Sequence, residues 1–167
     1  MHVSRASLVL IAIGLGITPI SAQMPRVSRC LHGENETRVQ QQRRHDAIDS
    51  ADLINRVLER SHRGGVAYPG WDDLAKSPAL EVYRQMPRTV PGGLGDLARK
   101  IEWGTERPLP GWQIHYVAAQ EAYAFSLTDL RDPCQLTIAS SDPRLITEGP
   151  RADFRGQVRV IPLDSSQ

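Results

Sequence analysis

The sequence predicts an α+β domain in which one long N-terminal helix packs on an antiparallel β-meander of about four strands. Three observations carry this reading. Between Thr37 and Ser61 apolar residues recur at the three-and-four spacing of a helical face. From Trp112 onward the apolar period changes to two, as in half-buried strands. Between these stretches, residues 64–111 form a connector punctuated by proline and glycine that sustains neither period.

The first 22 residues stand apart. Arg5 supplies a short basic start, Leu8 to Ile20 an apolar centre, and Ile20-Ser21-Ala22 ends on the small residue a signal peptidase requires. The apolar run is 13 residues long and contains Thr18 and Pro19, whereas a membrane-spanning helix needs roughly 20 apolar residues. Arg29, directly before Cys30, is badly placed for a lipidated cysteine. Residues 1–22 are therefore expected to be a signal peptide, with no membrane insertion after its removal and a periplasmic or extracellular destination.

Removing 22 of 167 residues leaves 23–167, a stretch of 145 residues and about the size of one ordinary domain. The leader takes one of 20 basic residues and none of 19 acidic ones, so the mature chain is formally neutral. That balance argues against a nucleic-acid partner, because phosphate binding needs a concentrated excess of Lys and Arg.

Within the expected helix, Ala47, Ile48, Ala51, Ile54, Val57 and Leu58 share one face. On the other face Asp52 precedes Arg56 by four residues and Arg56 precedes Glu59 by three, spacings at which charged side chains pair. Gly64-Gly65 supplies the stop. In the connector, Tyr68-Pro69-Gly70-Trp71 marks a turn, Trp71 to Leu80 includes a short helical piece, and Leu97, Ala98 and Ile101 recur at helical spacing.

Trp112, Ile114 and Tyr116 then share one side of a strand, and Tyr123, Phe125 and Leu127 one side of the next, joined through Ala118 to Ala122. A third strand is expected from Cys134 through Ile138 and a fourth from Leu145 to Thr147, each after an Asp-Pro turn at Asp132-Pro133 and Asp142-Pro143. Val158 and Val160 alternate around Arg159 and suggest an edge strand. One face of this sheet is apolar and needs a cover, and the helix is the one long element available.

Two cysteines, Cys30 and Cys134, in an exported chain predict a single disulfide joining the start of the mature protein to the third strand. Closing a loop on the order of 100 residues is worth up to about 4.7 kcal/mol in the chain-entropy model. A reactive thiol or a metal ligand are the competing readings, and no second nearby cysteine or Cys-x-x-Cys spacing supports them.

This order of elements resembles the globular headpiece of type IV pilins and pseudopilins. Ala47 to Leu58 are similar to the soluble half of the pilin helix, and Tyr68-Pro69 followed by Leu74 to the pattern that commonly follows it. The stretch from Tyr123 through Asp132-Pro133-Cys134 to Ser141-Asp142 and Ile146 resembles the strand-turn-strand ending of such proteins. The likeness spans residues 37 to 148. Pilins keep a long apolar half-helix after a glycine cleavage site, with a glutamate five residues into the mature chain; here the apolar run is brief and acid-free. The resemblance therefore implies a soluble headpiece and not a membrane-inserted filament subunit.

Candidate chemistry is sparse. His45, Asp49 and Asp52 lie near one another on the helix, but no further ligand completes a metal site, so they are expected to form a solvated face balanced by Arg43, Arg44 and Arg56. His32, His62 and His115 are scattered, and neither Ser126 nor Ser140 sits in a nucleophile elbow. Gly92-Gly93-Leu94-Gly95-Asp96 matches neither the dinucleotide fingerprint nor the P-loop and is expected to be connector. Asn35-Glu36-Thr37 fits the glycosylation triplet, which matters only where the host modifies it. Trp71, Trp103 and Trp112 suit either an interface or a small core, and burial is the favoured expectation.

No catalytic residue, cofactor site or metal site is therefore assigned, and Cys30 and Cys134 are the only site residues named. The expectation is an exported, non-enzymatic protein that contacts envelope or surface components. The alternative is an exported hydrolase or metal-dependent enzyme whose site one sequence does not display.

Overall fold

The computed structural model describes residues 30–33, 36–63, 65–87, 93–150 and 159–162. The expected signal peptide lies outside the described residues.

Helix α1 spans Arg38–His62. Its start is a capping box: Thr37 Oγ1 accepts from Gln40 N–H at 3.3 Å, and Gln40 Oε1 accepts from Thr37 N–H at 2.7 Å. Two amide donors that the helix itself leaves unpaired are thereby satisfied. Ala47, Ala51, Ile54 and Leu58 are fully buried along one stripe, with Leu53 and Val57 beside it. Arg60 and His62 in the last turn complement the negative end of the helix dipole. Gly65, at φ +76°, takes the left-handed conformation as its N–H returns to His62 O at 3.2 Å. Asp52 does pair with Arg56, Nε to Oδ2 at 2.7 Å. The expected pairing of Arg56 with Glu59 does not form, because the guanidinium turns back along the helix to the carboxylate four residues earlier.

Among its described residues the connector carries three short helices: α2 (Trp71–Leu74), α3 (Pro78–Arg84) and α4 (Leu94–Lys100). Ser77 caps α3 and Pro78 occupies its first turn, where the missing N–H costs nothing. Gly95 lets α4 lie directly on α3: a Cβ there would stand 2.9 Å from Met86 Cβ and 3.1 Å from Tyr83 O. Gly95 thus serves helix packing, Gly93 is the N-cap residue of α4, and Asp96 pairs within the helix with Lys100 at 2.7 Å.

Among the described residues five strands follow: β1 (Trp112–Ala118), β2 (Tyr123–Asp129), β3 (Leu136–Asp142), β4 (Leu145–Pro150) and β5 (Arg159–Pro162). They form one antiparallel sheet in chain order, β1-β2-β3-β4-β5. The class is therefore α+β. The fifth strand coincides with the alternation around Arg159. The third starts at Leu136 and not at Cys134, because Asp132 accepts from both the Cys134 and Leu136 amides and holds Gln135 at φ 51° before the ladder begins.

Register places Ile114, Leu127 and Ile138 in one inward row, and Tyr116, Phe125 and Ser140 in the next. Helix α1 lies over β3 and β4 and against α3 and α4. Ser50 and Asn55 are fully buried polar residues of α1: Ser50 donates to Asp46 O at 2.7 Å, while Asn55 Oδ1 accepts from Tyr123 OH at 2.8 Å and Ser140 Oγ at 3.0 Å, pinning helix to sheet. The apolar core begins, in chain order, at Ala47.

Candidate functional site

Two places gather side chains that bear chemistry. The first is the seam where the start of the described chain meets the sheet. Cys30 and Cys134 are joined, bridging 104 positions of sequence with Cα atoms 5.1 Å apart. Asp132, 2 % exposed, accepts from three backbone amides: Leu31 at 2.7 Å, Leu136 at 2.9 Å and Cys134 at 3.2 Å. Beside it His32 lies between two buried carboxylates, Nδ1 at 2.7 Å from Glu36 Oε1 and Nε2 at 3.0 Å from Asp129 Oδ2. A ring so placed donates to both only when it carries both protons.

The same carboxylates are held from the helix. Arg43 Nη2 reaches Asp129 Oδ1 at 2.9 Å, while Arg44 forks onto Glu36 with Nε and Nη2 both at 3.0 Å. Arg44 Nη1 meets both oxygens of Glu148 at 3.2 Å. Burial acts to lower the Arg44 guanidinium pKa, but the hydrogen bonds to Glu36 and Glu148 outweigh it, leaving the group above its ordinary value. The seam is a closed network in which these acids and bases satisfy one another.

The second place is the outer face of the sheet. Cross-strand pairing sets His115 opposite Ser126, Ser126 opposite Ala139, and Ala139 opposite Thr147, so one row of mostly small side chains crosses four strands. Above it lies an open groove of ≈ 290 Å³ with Val117 and Leu145 among its lining residues. Both are exposed, at 53 % and 38 %. His115 is the one titratable group among the residues lining the groove, and no carboxylate lies there to orient it. Ser140 turns its hydroxyl away to Asn55 and to Asp142 O.

The other candidates are placed apart from both. His45 Nε2 stands 3.8 Å from Asp49 Oδ2 with both side chains substantially exposed, and Asp52 is taken by Arg56. Asp49 sits above its ordinary carboxylate value, chiefly through burial, with His45 opposing. Among the described residues no group of three or more His, Cys, Asp or Glu is arranged to hold a metal. His62 stacks on Tyr68, with ring centroids 4.0 Å apart. Asn35 lies outside the described residues, while Glu36 and Thr37 serve the seam and the helix cap.

The tryptophans belong to the packing. Trp103 and Trp112 are buried, and Trp71 is half-buried between Trp103 and Tyr116 at 5.4 and 5.9 Å. Tyr116 donates to Pro69 O at 2.8 Å. Burial, reinforced by nearby Tyr68, pushes the Tyr116 hydroxyl from 10.0 up to about 12. Tyr123 is pushed upward too, mainly by burial, with the neighbouring Ser140 hydroxyl opposing.

Below the ordinary tyrosine pKa these hydroxyls are protonated in both folded and unfolded chains. Above it the unfolded chain ionises first and gains stability that the fold does not share. Stability is therefore expected to hold below about pH 10 and to fall as pH rises toward about 12. Urea unfolding across that window measures it, and Tyr116→Phe should flatten the decline. An unchanged decline in that variant would assign the effect to other groups.

The chain matches no protein-family model, no curated protein and no solved structure. Among the described residues no helix is long and apolar enough to cross a membrane. The disulfide is consistent with folding in an oxidising compartment.

Proposed function

We propose that this protein is an exported, non-enzymatic domain of the cell envelope or surface, shaped like a soluble pilin-type headpiece, that contacts a protein partner through the outer face of its sheet. The observation that carries the reading is the groove over the His115–Ser126–Ala139–Thr147 row. Its floor of small side chains leaves room for large aliphatic or aromatic side chains of a partner, and Val117 and Leu145 offer apolar contact beside it. The seam's acids and bases, which would otherwise be the natural candidates for catalysis, are engaged with one another.

The test is site-directed photo-cross-linking in the native cell envelope. A cross-linker at Val117 is expected to yield one discrete protein adduct, and Ala139→Arg, which fills the floor with a long cation, should weaken that adduct at least about ten-fold, the scale of losing one well-packed apolar contact. A cross-linker at exposed Val66, on the connector after α1, serves as the control. Equal adducts from Val66 and Val117, or an adduct insensitive to Ala139→Arg, would remove the outer face from consideration.

A further inference from the structure

Residues 30–33 and 36 are fastened to the domain by one covalent bond and by polar contacts. None of them belongs to the apolar core. Their ties are Cys30 to Cys134, Leu31 N–H to Asp132, His32 to Asp129, Glu36 to Arg44, and an exposed bond from Gln41 Nε2 to Glu36 O at 3.4 Å. Each charged group on the far side of these ties keeps another partner if the segment leaves. Asp129 retains Arg43 Nη2 and the Arg131 amide at 2.9 Å. Asp132 retains the amides of Cys134 and Leu136, and Arg44 retains Glu148. Breaking a buried ion pair is costly mainly when a charge is left stranded, and here none is. The helix also keeps its own cap, because Thr37 and Gln40 pair locally.

We infer that residues 30–33 and 36 form a redox-locked clasp: reducing Cys30–Cys134 lets them lift from the sheet while helix and sheet remain folded. Cys30 is exposed and Cys134 half-buried, so a dithiol reductant meets Cys30 first. One reductant thiolate attacks Cys30 Sγ, the disulfide breaks, and Cys134 departs as a thiolate that takes up a proton. The second reductant thiol, as its thiolate, then attacks the reductant sulfur of the mixed disulfide. Cys30 leaves as a thiolate and is protonated, and the reductant ends as its own disulfide, two electrons having passed to the protein. Lifting removes the His32 ring from its place 6.3 Å from that of Trp112, which is 2 % exposed in the closed form. The opened form would uncover the edge of Trp112 that His32 faces, beside Asp129 and Arg43, while the rest of the ring stays in the core. This inference is independent of the outer-face groove.

The experiment is pulsed hydrogen exchange on the full protein, with and without dithiothreitol, together with acrylamide quenching of tryptophan fluorescence. On reduction, the amides of residues 31–33 and 36 should exchange at least about ten-fold faster, while the β2 and β3 ladder amides stay protected through the same pulse. Quenching should rise, and Trp112→Phe should abolish the rise. The Cys30→Ser/Cys134→Ser variant should show the same exchange pattern without reductant. Clasp and ladder amides exchanging together, in either the reduced protein or the variant, would mean that the bridge holds the whole fold. Clasp protection unchanged after complete reduction, or a quenching rise that survives Trp112→Phe, would equally overturn the inference.

Discussion

Replacing Asp129 by alanine is expected to lower the unfolding free energy by about 3 kcal/mol, within the range for stranding one partner of a buried pair. The carboxylate is fully buried and meets His32 Nε2, Arg43 Nη2 and the Arg131 amide. Removing it leaves the His32 ring, only 5 % exposed, facing a site with no acceptor on that side. Arg43 is 22 % exposed and can swing toward water, which keeps the cost from reaching the upper end of the range. Chemical denaturation of Asp129→Ala, Arg43→Ala and the double variant measures both the loss and the coupling. The two single losses should exceed the double loss by about 1 kcal/mol, as for residues in direct contact. A loss in Asp129→Ala below about 1 kcal/mol would show that the seam is solvated.

Leu127→Ala is expected to be as damaging for a different reason. Leu127 is fully buried at the centre of the inner face, paired with Ile114 on one side and Ile138 on the other. The substitution removes buried carbon and leaves a cavity that neighbouring strands fill only in part, a loss of about 3–5 kcal/mol. Its chain neighbour Ser126 points to the other face, so Ser126→Ala should change stability by no more than about 0.5 kcal/mol. Two adjacent residues with opposite outcomes test the strand register itself. Similar losses at both would mean that the outer face is covered.

Much of this architecture was legible because it depends on local period. The spacing of Ala47, Ala51, Ile54 and Leu58 marks the buried stripe of α1, and Trp112, Ile114 and Tyr116 alternate inward as the two-residue period requires. The bond between Cys30 and Cys134 followed from there being two cysteines in a chain whose first residues are expected to form an export signal. What escaped was partner choice at long range. His32 and Asp129 stand 97 residues apart in sequence, and nothing local to either names the other. Asp132 announced a turn, but its grip on three amides, which delays β3 to Leu136, depends on where Leu31 lies in space. The outer groove was half visible: alternation put His115 on the face away from the core, and only the register could place it opposite Ser126.

The uncrossed strand order has a kinetic consequence. Each ladder joins strands that are consecutive in the chain, so the sheet assembles from contacts of short sequence separation, the kind that favours rapid folding. The bridge, spanning 104 residues, is the exception, and Cys134 belongs to a part of the chain synthesised long after Cys30. Folding is therefore expected to pass its barrier with the meander and α1 formed and residues 30–33 still unattached. In refolding experiments, the Cys30→Ser/Cys134→Ser variant should fold at a rate within about two-fold of the bridged protein and unfold much faster. Slowed folding in the variant would instead put the bridge in the nucleus. On this ordering, the link at Cys30, among the earliest of the described residues, is the last part of the molecule to be finished.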